Sequence, residues 1–146
     1  MAAGAAGTSA LNAATYVDMT VRARPTSGTP QQTVETIEEK LPVSIPGEGE
    51  DRENRVAGLG SLSGIATGVG IGVAAGLLRR MGLRVPFPVG AVLTGLGAMA
   101  ATDGSMAALR VSDPRSWSKT EWLSDLVPHL VYGAVTWAVL DAMDRP

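Results

Sequence analysis

The sequence predicts an all-helical polytopic membrane protein, a bundle of four transmembrane helices in a single domain covering residues 1–146. Three observations point there. Residues 56–78 carry no charged side chain and are long enough to cross a bilayer. Within them Gly60, Gly64, Gly68, Gly72 and Gly76 recur at every fourth position. Each four-residue step turns a helix by about 400°, so these glycines drift slowly round it and form a shallow packing groove, a glycine zipper. Finally, 45% of residues are apolar and mean hydropathy is positive, yet the chain has 18 glycines and only one Phe, two Tyr and three Trp. A soluble core of this size needs bulkier side chains to reach native packing density. Membrane helices instead associate through small residues that let backbones approach.

The first span is expected at residues 2–21. It is apolar but soft, and Thr8, Asn12, Thr15 and Asp18 are spaced 4, 3 and 3, which puts them on one helix face. That face should look into protein. A signal peptide is the alternative, but no Lys or Arg precedes the apolar run and no strongly apolar centre exists.

Residues 22–55 form a polar connection with Pro25, Pro30, Pro42 and Pro46, seven acids and five bases. Within it Thr29-Pro30-Gln31-Gln32 reads as an N-cap, a proline at the first helical position and a capping-box glutamine. Val34, Ile37 and Leu41 follow at helical spacing, so a short amphipathic helix is expected over 30–40, on the membrane surface or on the bundle.

The glycine-zipper span over 56–78 ends at Arg79-Arg80, and a tight basic connection follows. The third span is expected over 85–102, opened by Pro86 and Pro88 and thinned by Gly90, Gly95 and Gly97. At 1.5 Å per residue it covers about 27 Å, enough for the hydrocarbon core. Asp103 is placed at its end, where water or snorkelling would solvate it. Met106–Leu109 could add a turn before Ser112-Asp113-Pro114 breaks the helix. Ser118-Lys119-Thr120-Glu121 is a second capping box, set between Trp117 and Trp122, which suit the headgroup region. The last helix therefore covers 118–142, starting in the interface, with Pro128 early enough to bend it without breaking it.

Orientation follows from the basic loops. Arg79, Arg80 and Arg84 crowd a short connection, which favours a cytoplasmic position for that loop and for both termini. Arg22, Arg24, Arg52 and Arg55 on the first loop, with Arg110, Arg115 and Lys119 on the third, argue the other way, but long mixed-charge loops translocate more readily.

On the last helix Asp125, His129, Tyr132 and Thr136 are spaced 4, 3 and 4 and form a second polar stripe. Joined to Thr8, Asn12, Thr15 and Asp18 it would make a buried polar seam. The plainest role of such a seam is to fix helix register through interhelical hydrogen bonds of about 0.6–2 kcal/mol each. The sharper one is a path for protons or a small solute, since ionisable groups at membrane depth tend to mark function.

Other chemistry finds no support. A single histidine cannot supply two haem ligands, and with no cysteine there is no zinc site, disulfide or thiol nucleophile. Gly68-Val69-Gly70-Ile71-Gly72 has no preceding strand and no following lysine, unlike a phosphate-binding loop. A formal charge of −2, with no basic stripe, gives no case for nucleic acid.

His129-Leu130-Val131-Tyr132-Gly133, with the soft first helix, long polar loop and two glycine-rich spans, resembles small uncharacterised four-helix bacterial inner-membrane proteins, the YagU-like proteins. The string GAAGTSALNAATYVDM is similar to membrane proteins of high-GC bacteria. The resemblance implies a multi-pass position in a bacterial cell membrane and transfers no catalytic residue or cofactor. The expected function is thus non-enzymatic: a membrane scaffold or accessory subunit whose partners are the lipid bilayer and a helix of its own bundle, a second copy or another membrane protein. An oligomeric transporter or channel is the alternative, and a membrane enzyme using Asp125 with His129 as an acid–base pair comes third.

Overall fold

The computed structural model describes residues 1–144 and is all-helical over that range, with α1 (Ala2–Arg22), α2 (Thr29–Lys40), α3 (Gly49–Arg80), α4 (Phe87–Leu109), a 3-10 turn at Pro114–Ser116 and α5 (Lys119–Met143). Two of these, α3 and α5, are long and apolar enough to cross a membrane.

The long helices pack antiparallel in series. α5 is central and packs extensively on α4 and on α1. α3 leans on the far side of α1 and barely touches α4, while the short α2 lies along α3. The amphipathic helix therefore rests on the bundle, with Pro30 covering Gly60 and Ile37 and Leu41 left exposed.

Helix ends follow local chemistry with two departures from expectation. α2 begins one residue early: Gly28 occupies the N-cap position, no side chain caps the helix, and the Ser27 hydroxyl accepts from the Thr29 N–H at 3.2 Å. Thr29 and Gln32 accordingly do not form the expected cap and capping box. Also, the polar connection ends at Glu48 and not at Arg55, because α3 starts at Gly49. Glu50 and Asp51 in its first turn and Arg79 and Arg80 in its last complement the helix dipole. Arg52 ties the added turns to α2 by reaching Glu35 and Glu38. Glu38 also accepts from the Ile45 N–H at 2.6 Å, and that bond, followed by Arg52, holds its carboxyl below the usual glutamate range.

α4 begins at Phe87 with Pro86 as N-cap and runs on to Leu109, where Arg110 turns the chain in the left-handed region at φ 63°. The Ser118–Glu121 capping box forms in both directions. Trp117 and Trp122 meet edge to face at 5.2 Å. Pro128 lies inside a continuous α5.

Candidate functional site

The zipper glycines do different work along α3. A side chain at Gly68 would collide with the Thr8 hydroxyl, and one at Gly72 with the backbone of Gly4, so the middle of the groove holds the N-terminal half of α1. Gly60 abuts Pro30, and Gly76 would meet Leu140 at 3.4 Å. Gly64 faces open space. A second close contact, backbone to backbone, lies elsewhere. At Gly133 an added Cβ would strike Ala91 O, and at Gly95 it would lie 2.6 Å from His129 O, so the α4 and α5 backbones touch. Gly90 beside them receives the ring of Trp137.

The two polar stripes do not hydrogen-bond to each other as one seam. Thr8, buried, returns its hydroxyl to Gly4 O at 2.8 Å. Asn12 and Thr15 are half-buried. Asp18 binds Arg22 and Arg24, each at 2.6 Å, and Arg22 continues to Ser124 on α5. On α5, Tyr132 crosses the bundle and donates to Gly68 O at 2.7 Å. Thr136, fully buried, presses its hydroxyl against Gly7. What the stripes share is therefore packing, with Tyr132 as the hydrogen bond between α5 and the zipper.

The ionisable residues converge at the other end of the α4–α5 contact. Asp103 is not solvated at a helix end as the sequence suggested. It sits inside the longer α4, 7% exposed, with its carboxyl against that of Asp125 and near His129. His129 Nδ1 lies 2.9 Å from Asp125 O and 3.4 Å from Asp125 Oδ1, while Nε2 lies 3.5 Å from Thr102 Oγ1. Asp103 Oδ1 and Asp125 Oδ2 have no hydrogen-bond partner among the described residues. Two carboxyl groups and one imidazole thus stand together at this end of the α4–α5 contact. Among the described residues no three such groups are arranged to hold a metal ion.

Asp103 was nevertheless legible as a buried position: Ala91, Gly95, Met99 and Asp103 follow at four-residue intervals and are all buried. The same spacing that marks the zipper marks the inner face of α4.

At the opposite end, Arg79 binds Asp141 at 2.5 Å and Asp144 at 2.6 Å and stacks over the Trp137 ring at 4.9 Å. Asp144 is held below the usual carboxylate range, first by the Arg79 hydrogen bond and then by the nearby charges of Arg84 and Arg80.

No family model matches the chain, and neither a curated protein nor a solved structure shows significant similarity to it.

Proposed function

We propose that the chain is a non-catalytic integral membrane scaffold or accessory subunit of a bacterial inner membrane, with four spans and both termini on the cytoplasmic side. α1 and α4 join α3 and α5 as spans in this reading. Each packs antiparallel along α5, so all four helices would share one slab, with the basic Arg79–Arg84 turn at one face and α2 at the other. The resemblance of the His129–Gly133 segment to YagU-like proteins supports the same location.

The observation that carries the scaffold role is the unequal cover of the two most apolar helices. Only 11% of the most apolar stretch of α3 is buried, against 33% for α5. Leu59, Leu62 and Ile65 are exposed, and Gly58, Gly64 and Gly70 face open space. α1 uses the centre of the zipper and leaves the rest of α3 for lipid or another helix. Gentle solubilisation followed by mass measurement of the intact complex tests this: a stoichiometric second protein is expected, and a monomer carrying only lipid would sink the role. Ser44→Cys and Met81→Cys, in a chain with no native cysteine, test orientation. An impermeant maleimide should label intact cells at position 44 alone. Met81 is chosen over the neighbouring Gly82 because Gly82 holds φ at 105°, which a side chain would strain.

The Asp103, Asp125 and His129 cluster favours a second reading, proton handling within an oligomeric transporter or channel. A homo-oligomer in the same mass measurement, with proton flux in liposomes that Asp103→Asn abolishes, would support that reading over the first.

A further inference from the structure

Between the occupied parts of the zipper, α3 is bare. Gly68 and Gly72 lie under α1 and Gly60 lies under Pro30 of α2, while residues 61–67 between them are all exposed. At 1.5 Å per residue that opening is about 10 Å long. A helix about 10 Å across that crosses its neighbour at about 40°, the steeper of the two common membrane angles, covers about 15 Å of it, its width divided by the sine of the angle. A crossing at about 20° covers more. The opening is too short for either, so a membrane helix seated in this groove needs Gly60 as well as Gly64.

Of the two neighbours that bound the opening, α2 is held less firmly. α1 buries Ala3, Gly4, Gly7 and Thr8, whereas α2 has no buried residue and leaves Ile37 and Leu41 exposed. Pro30 on Gly60 aside, the ties of α2 to the bundle are polar. Arg52 of α3 reaches Glu35 at 3.4 Å and Glu38 at 2.5 Å, and Lys40 reaches Leu109 O at 3.5 Å. Ion pairs this exposed shift an equilibrium by only about 1.5- to 5-fold each. Glycines also stand at both ends of the segment: Gly28 is the N-cap of α2, and Gly47 and Gly49 hold φ at 96° and 52° just before α3. A few such backbone positions suffice for a hinge.

We infer that α2 is an autoinhibitory strap on the zipper. Docked, it caps the upper end of the groove; swung aside, it frees Gly60 together with Gly64 for a transmembrane helix of a second protein. That helix carries small residues where it meets the two glycines, since these let the backbones approach. The inference rests on the scaffold role proposed above and supplies its regulation.

The experiment uses the full chain in membranes. Arg52→Gln removes both ion pairs without touching the groove, and Arg52→Lys keeps the charge. A single cysteine at Val34, half-buried on α2 in a chain with no native cysteine, reports docking by its rate of maleimide labelling. Arg52→Gln is expected to raise that rate about tenfold and to raise the share of chains carrying the second protein, counted by mass after gentle solubilisation, at least about threefold. Arg52→Lys should stay near the wild type in both.

Pro30→Cys with Gly60→Cys provides the opposite arm. A Cβ at Gly60 lies 3.1 Å from that of Pro30, within reach of a disulfide. The oxidised form should carry at least about tenfold less of the second protein than the same variant reduced, a comparison in which the added side chains cancel. Labelling unchanged by Arg52→Gln, or equal recovery by the oxidised and reduced forms, overturns the strap and leaves the scaffold role standing. A chain that carries only lipid in every form sinks the scaffold role, and the strap with it.

Discussion

At Gly68 and Gly72, α3 meets Thr8 and Gly4 of α1, partly through a hydroxyl; at Gly95 and Gly133, α4 and α5 touch backbone to backbone. The first contact belongs to a repeat of five glycines, the second to glycines with no such regularity along either helix. Yet the irregular contact is as close and lies in the more extensively packed pair. α1 meets the repeat at Gly68 and Gly72 and leaves Gly64 open, so the long repeat offers more groove than this one partner uses. Regularity reports what a helix surface permits. Closeness is decided by whether small residues on two helices fall opposite each other, which the sequence of one helix alone does not contain.

That difference ranks the glycines. Gly133→Ala adds a Cβ against Ala91 O, a backbone atom that can withdraw only if the helices separate. Overpacking costs about 1–3 kcal/mol and occasionally more, and here about 3 kcal/mol or more is expected, read as a large fall in melting temperature in detergent. A variant that melts with the wild type would show that α4 and α5 are not in backbone contact.

Within the zipper the expected response is uneven. Gly68→Ile, against the Thr8 side chain, should cost about 1–3 kcal/mol. Gly64→Ile, one step away in the same repeat, enters open space and should be close to neutral in the isolated chain, with a loss only in recovery of a partner that packs there. Equal destabilisation of both by the same thermal measurement would mean that the whole repeat, and not its centre, is occupied by α1.

The helical class, the amphipathic segment, the Ser118–Glu121 box and the continuous helix through Pro128 were legible because each depends on neighbours in sequence. The polar stripe on α5 was legible too, but its partners were not. Tyr132 meets a carbonyl of α3, His129 meets Thr102, and Asp125 meets Asp103, all on helices whose azimuth is set by packing. Asp103 was misplaced for a further reason: the span was expected to end at Thr102, whereas the added turn through Met106–Leu109 that the sequence allowed is formed and carries Asp103 inside α4. The hydroxyls of Thr102 and Ser105 turn back to carbonyls at 98, 99 and 102, which keeps these polar side chains satisfied within the helix.

Tyr132 joins the two contacts, since it is carried by α5 two turns from Asp125 and donates to the zipper at Gly68 O. Tyr132→Phe removes the donor while Gly68 O keeps its helical partner, so no acceptor is orphaned. The expected cost is therefore small, about 0.5–1.5 kcal/mol and at the lower end within a membrane. The informative quantity is the coupling with Gly68→Ala, which pushes the same turn of α3 away through Thr8. If the zipper and the α5 stripe form one connected structure, the double variant should lose less stability than the two single losses combined, by at least about 0.5 kcal/mol, because the first change already weakens what the second removes. Additivity within about 0.3 kcal/mol would separate them, leaving Tyr132 as packing alone and the two contacts as independent halves of the bundle.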